Sequence, residues 1–254
     1  MTSTSNSSSS SGSATSRARA KLVGSTGRDE LIGTDGNDNI RGGNGNDLIR
    51  GRGGNDRLSG NRGDDRIFGD DGDDLLNGDQ GKDRLRGGNG NDRLNGGGGR
   101  DNLRGNAKRD RLTGGSGNDN LGGGQGNDIL RGGDGDDKIS GGDGDDLIVG
   151  GFGDDELTGG RGKNTYVYNS LSEGRDRIIE FDTDNDKLDL SKIFKDSKYN
   201  TDNRLRDYIV IVNDEADTII RVDPDGEDGD ALFRTLVTMV DLDYAKVDSS
   251  NFIF

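Results

Sequence analysis

From Leu31 to Leu157 the chain repeats one arrangement of apolar and polar positions: a single Leu or Ile at every ninth residue, set among glycine and polar side chains. A period of nine fits neither one amphipathic helix nor an alternating strand. It marks a solenoid, in which each unit buries its apolar residue against copies of itself. The three residues centred on each apolar position, such as Arg57-Leu58-Ser59, predict a short strand with leucine inward and its neighbours outward. The other six predict a turn. Two units complete a coil of 18 residues, so the expected fold is all-β: a parallel β-roll whose two sheets face each other across a thin Leu/Ile layer, with coils about 4.8 Å apart.

An aspartate stands two residues before each apolar position, at Asp29, Asp38, Asp47, Asp56, Asp65, Asp74, Asp83, Asp92, Asp101, Asp110, Asp119, Asp128, Asp137, Asp146 and Asp155. Glycine precedes the aspartate by two positions in every unit except at Lys108, and a second glycine follows the apolar residue by two, giving G-x-x-G-x-D-x-L/I-x. Positive φ angles and close backbone approach explain the glycines. The aspartates need another reason. Coils of 18 residues stack each one below its successor, as with Asp47 and Asp65, and two such carboxylate columns repel unless something neutralises them. A divalent cation between successive turns would do so and would couple binding to folding.

Composition narrows the ligand. Among 254 residues 47 are glycine and 26% are hydrophobic, too little for folding by core burial alone. A net charge of -15 favours a cation and argues against nucleic acid. Histidine and cysteine are absent, which removes disulfides, thiolate or imidazole metal sites and catalysis that needs either residue. Carboxylate, amide and carbonyl oxygens remain, the donors of hard cations such as calcium. The chain also lacks an apolar run of roughly 20 residues, so it is not expected to be transmembrane. Met1 to Ala20 shows no apolar stretch of a cleaved secretory signal.

Three regions follow. Residues 1–23 are a Ser/Thr-rich tail expected to be disordered, 24–162 the roll, and 163–254 a β-rich capping domain over the open end of the sheets. In the last, strands are predicted at Thr165 to Tyr168, Arg177 to Phe181, Tyr208 to Val212, Thr218 to Val222, Leu236 to Leu242 and Asn251 to Phe254, with a brief helix after Ser191. Asp182 to Asp186 starts like a calcium loop but lacks its glycine and final glutamate, and is read as a polar turn. The acidic stretch Asp223 to Asp230 is read as a solvated loop. Ser191-Lys192 is the one adjacent nucleophile and base, and there is no H-E-x-x-H or G-x-S-x-G, so the chain is expected not to be an enzyme.

The units Gly87-Gly-Asn-Gly-Asn-Asp92, Gly132-Gly-Asp-Gly-Asp-Asp137 and Gly141-Gly-Asp-Gly-Asp-Asp146 resemble the calcium-binding nonapeptide of the RTX, or hemolysin-type, family. The resemblance implies a β-roll with several calcium ions between turns, each held by motif aspartates and backbone carbonyls. That role would fall to Asp29, Asp38 and onward in steps of nine to Asp155. Thr165-Tyr-Val-Tyr168, Gly174-Arg-Asp-Arg-Ile178, Asp186-Lys-Leu-Asp-Leu-Ser191 and Asn251-Phe-Ile-Phe254 are similar to the C-terminal domain of proteins exported by type I secretion. This implies export through an ABC transporter and a secreted protein that folds on meeting extracellular calcium. The expected role is a surface-layer or matrix component; the alternatives are an adhesin for acidic polysaccharide and a hemolysin-like toxin. The adhesin alternative rests on outward arginines, Arg50, Arg66, Arg84, Arg86 and Arg104 on one sheet and Arg41, Arg57, Arg93, Arg111 and Arg131 on the other, whose plainer reading is a solubilising surface. Where Asn106-Ala-Lys108 replaces the glycine-rich lead-in to Asp110, calcium sites are expected to be weak or empty, with the ammonium standing in for the ion.

Overall fold

The computed structural model describes residues 19–195, 208–222 and 234–254. Two sheets face each other along the array. One carries eleven strands, from Lys21–Val23 to Phe252–Ile253; the other carries twelve, from Glu30–Ile32 to Ile209–Asp214. Strands 18 residues apart pair in parallel, Ile40 on Leu58 and Ile49 on Ile67. The apolar position of each unit from Ile40 to Leu157 is at most 2% exposed, so one residue in nine makes the core.

The strands are longer than the apolar positions predict. Asn39–Asn44 and Leu48–Gly53 each run six residues, leaving three, Gly45 to Asp47, for the bend. The cause is backbone hydrogen bonding between coils. Gly43 pairs with Asn61 and Asn44 with Arg62, so the glycine-rich stretch extends the ladder instead of turning freely in water.

After Gly162 both sheets continue. Thr165–Val167, Lys187–Asp189 and Phe252–Ile253 prolong the first; Asp176–Ile179 and Arg234–Val240 prolong the second, and Asp217–Val222 with Ile209–Asp214 closes it in antiparallel fashion. Each predicted C-terminal strand is present with shifted ends, and Lys187–Asp189 is an additional one. The helix after Ser191 is a single 3-10 turn, Ile193–Lys195. Here aromatic side chains thicken the core: Tyr166 packs on Phe181 at 5.9 Å and Phe194 on Phe254 at 5.7 Å between ring centroids. Most of the tail and the acidic stretch Asp223 to Asp230 lie outside the described residues. Among the described residues no helix is long and apolar enough to cross a membrane.

Candidate metal centre

The glycines of the unit hold three positions and meet two different needs. The one two residues before the aspartate takes the left-handed conformation, as Gly45 does at φ 122° and Gly63 at φ 119°. The position two residues earlier is left-handed too, and there Arg52, Asn61, Asp70, Asp79 and Asn106 adopt φ between 74° and 87° without being glycine. The glycine five residues before the aspartate has ordinary φ and is needed for space. A Cβ on Gly42 would run into the carboxylate of Asp47 and lie 2.8 Å from the Gly60 carbonyl of the next coil.

That missing Cβ lets the aspartate fold back over its own turn. Asp47 Oδ1 accepts a hydrogen bond from the Asp29 amide at 2.8 Å, while the Asp29 carbonyl accepts from the Leu48 amide at 2.9 Å, so each motif aspartate ties two coils together twice. The pattern recurs along both edges, for example Asp38 N to Asp56 Oδ1 at 2.7 Å and Asp137 N to Asp155 Oδ1 at 2.8 Å. The second oxygen is different. In every motif aspartate from Asp47 to Asp155, Oδ2 is buried and has no hydrogen-bond partner. The first two units differ: Asp29 Oδ2 accepts from the Ser25 hydroxyl at 2.9 Å, and Asp38 Oδ2 from the Thr34 amide at 2.6 Å.

A buried acceptor without a donor is costly, and a buried carboxylate more so. Burial first, and repulsion from the aspartates above and below second, push the carboxyl groups up: Asp74, Asp83, Asp128 and Asp137 to about 7, and Asp110 to about 8. Backbone carbonyls lie beside the same oxygens, since a Cβ on Gly42 would meet both Asp47 Oδ2 and the Gly60 carbonyl, and one on Gly105 both Asp110 Oδ2 and the Gly123 carbonyl. Among the described residues no three acidic side chains converge on a point. Whatever fills the gap therefore meets one or two carboxylates and several carbonyls. This all-oxygen donor set of low charge fits a hard divalent cation such as calcium.

The aspartate series from Asp29 to Asp155 missed three members of these columns, of which Asn164 keeps the nine-residue register with an amide in place of the carboxylate. Asn164 takes the aspartate's place above Asp146, its Oδ1 accepting the Asp146 amide at 3.2 Å. Asp186 accepts the Asn164 amide at 2.9 Å, and Asp176 the Asp155 amide at 3.0 Å. Longer connections displace Asp176 and Asp186 from the nine-residue register, yet each retains the local signal, an apolar residue two positions on: Ile178 and Leu188. Asp186, read as part of a polar turn, is fully buried. Asp176 extends the column beside the buried Tyr168 hydroxyl, and burial together with Asp155 pushes Asp176 to about 8. A second ladder runs beside the first. The residue just before the motif aspartate is most often Asn or Asp, and its side chain accepts the equivalent amide of the next coil, as Asn37 does from Asn55 at 2.8 Å and Asp145 from Lys163 at 2.8 Å.

At the irregular unit the backbone is kept: Lys108 is left-handed at φ 73° and its carbonyl stays in the stack. Its ammonium does not substitute for an ion at Asp110. The side chain is exposed and forms no ion pair among the described residues, its charge eases Asp73 and Asp92 instead, and Asp110 Oδ2 remains orphaned. At the adjacent pair Ser191 and Lys192, Lys192 Nζ donates to Asn169 Oδ1 at 2.6 Å and the Ser191 amide to Asp189 Oδ1 at 2.9 Å.

The profile of the RTX calcium-binding nonapeptide repeat matches residues 23–58, 50–85, 59–94, 77–107, 95–130 and 131–166, more than half of the chain without a gap. The chain belongs to the RTX calcium-binding repeat family. No curated protein matches it. Among solved structures, this RTX chain is similar to the extracellular lipase LipA of Serratia marcescens at 20% identity and a TM-score of 0.42, covering 79% of the present chain and 40% of the lipase. It is also similar to the AlgE6R2 subunit of the Azotobacter vinelandii mannuronan C5-epimerase at 26% identity and a TM-score of 0.42, over 56% of this chain and 91% of that one. The RTX chain thus spans well under half of the lipase's length.

Proposed function

We propose that this RTX chain is a secreted, non-enzymatic protein whose roll folds around calcium ions held between successive turns, and that it serves as a rigid element of a surface layer or matrix. The observation that carries the reading is the unbroken row of buried, unpartnered Oδ2 atoms from Asp47 to Asp155. Each is an acceptor whose burial only a donor or a cation can offset. Calcium would supply that charge, with Asp29 to Asp155 in steps of nine as carboxylate ligands and the turn carbonyls completing the shell. Affinity belongs to the range of extracellular modules, about 10⁻⁴ to 10⁻³ M. In the low-calcium cytosol such a chain stays unfolded, which suits passage through a type I ABC transporter guided by residues 163–254.

Circular dichroism with and without about 2 mM calcium tests this. A coil-like spectrum in chelator that becomes β-rich on adding calcium is expected. An identical β-rich spectrum in both would overturn it.

A further inference from the structure

The two outer faces of the roll are not equivalent. On the second sheet, the strands Leu48–Gly53, Arg66–Asp71, Arg84–Asn89 and Asn102–Ala107 lie side by side. Their outward positions carry Arg50, Arg66, Arg84, Arg86 and Arg104 with Phe68 among them, and the acids of these four strands are Asp70, paired with Arg50, and Asp71 at the strand end. Register turns these into two ladders along the roll axis. Arg66 pairs with Arg84 in one; Arg50, Phe68, Arg86 and Arg104 follow one another in the other. On the first sheet, Leu75 separates Arg57 from Arg93, and Arg93 with Arg111 is the one adjacent arginine pair among these strands, so the block there is smaller.

Like charges directly opposite on neighbouring strands destabilise a sheet. All five arginines are exposed, and among the described residues Arg50 alone has an acidic partner, Asp70 at 3.5 Å, while also lying 5.0 Å above the Phe68 ring. A merely solubilising face would mix signs, and a chain with 49 acids against 34 bases has acids to spare. The four unpaired guanidiniums retain full capacity for carboxylate or sulfate groups.

We infer that this face binds a linear acidic polysaccharide carrying about one anionic group per sugar, lying along the roll axis. Strand spacing sets Arg66 beside Arg84 and Arg86 beside Arg104 about 4.8 Å apart, close to one sugar per step, while Phe68 doubles the step between Arg50 and Arg86. Duplex DNA presents one charge per about 1.7 Å of axis, far denser than the ladder, and Phe68 offers a sugar ring an apolar surface to lie on. The inference rests on the calcium-folded roll of the preceding section, since only the folded register assembles the ladders. Calcium would also quench the aspartate columns along both edges, which otherwise repel a polyanion.

The test uses the full chain in calcium with chondroitin sulfate, which does not gel with that ion. Folding is read separately by circular dichroism, so loss of fold is distinct from loss of binding. Retention is expected to fall as salt rises, and R84E/R86E should weaken binding about tenfold or more with an unchanged spectrum. The control R57E/R111E on the opposite sheet should leave binding within about twofold. The inference fails if folded protein is not retained at low salt, if the control loses as much as R84E/R86E, or if duplex DNA of equal length is held as tightly.

Discussion

At the scale of single residues, glycine in this roll is required for two separable reasons, and neighbouring positions distinguish them. A Cβ on Gly122 would meet nothing within 4 Å, whereas one on Gly123 would strike the Asp128 carboxylate and lie 2.6 Å from the Gly141 carbonyl. Gly122→Ala should therefore be neutral or stabilise by about 0.5 kcal/mol by restricting the unfolded chain. Gly123→Ala should cost about 1–3 kcal/mol through overpacking. Thermal unfolding in calcium would compare the two, and equal effects would refute the assignment. Lys108 supplies the converse case. A lysine held at φ 73° pays for a conformation that glycine adopts freely, so Lys108→Gly should stabilise by about 1 kcal/mol. A variant no more stable than the parent would mean that the lysine side chain contributes something else. The unit formula was legible in the sequence, but the reason for its glycine five residues before the aspartate was not, because the clash it avoids involves the next coil.

At the scale of elements, the carboxylate columns make the metal-free roll sensitive to pH in a definite direction. Burial and mutual repulsion raise Asp56 to about 6, Asp74 to about 7 and Asp110 to about 8, from 3.8 in the unfolded chain. A folded state that binds protons more tightly than the unfolded one is stabilised by them. That stability is fully present below about pH 4 and is lost as pH rises through 6 to 8. Calcium-stripped protein should accordingly gain β structure as pH falls from 8 to 5, as read by circular dichroism. A flat or opposite trend would contradict the burial of these groups. Calcium competes with the same protons, so its apparent affinity should rise across that window. The columns themselves could be read from the period of nine. Asn164 falls on the same period with an amide for a carboxylate, but the continuation through Asp176 and Asp186 could not be read, since longer connections move both out of register and only pairing of their strands restores it.

At the scale of the whole molecule, the array and the C-terminal region share both sheets but not the same kind of core. From Ile40 to Leu157 each half-coil buries one aliphatic side chain, and its edges carry orphaned carboxylates. From Tyr166 onward, aromatic packing among Tyr166, Phe181, Phe194 and Phe254 takes over. A solenoid's stability is a sum of small nearest-neighbour terms, so removing calcium should release the array as a run of coils. Hydrogen exchange in chelator should show amide protection between Asn39 and Arg161 lost, and regained on adding calcium. Protection that persists there without metal would count against the proposed role of the ions.

The sequence alone determined the coil. A period of nine with one apolar residue leaves a two-unit turn as the arrangement that buries every Leu and Ile on one line, and the absence of histidine and cysteine confines the donors to oxygen. What tertiary structure decided is everything that depends on which coil lies above which. Stacking deprives Oδ2 of water, lengthens the strands through the glycines, turns Lys108 outward, and gathers five arginines from four strands onto one face while Leu75 interrupts the other. Each of these relates residues 18 or more apart, and contacts at that range exist only once the coils are stacked.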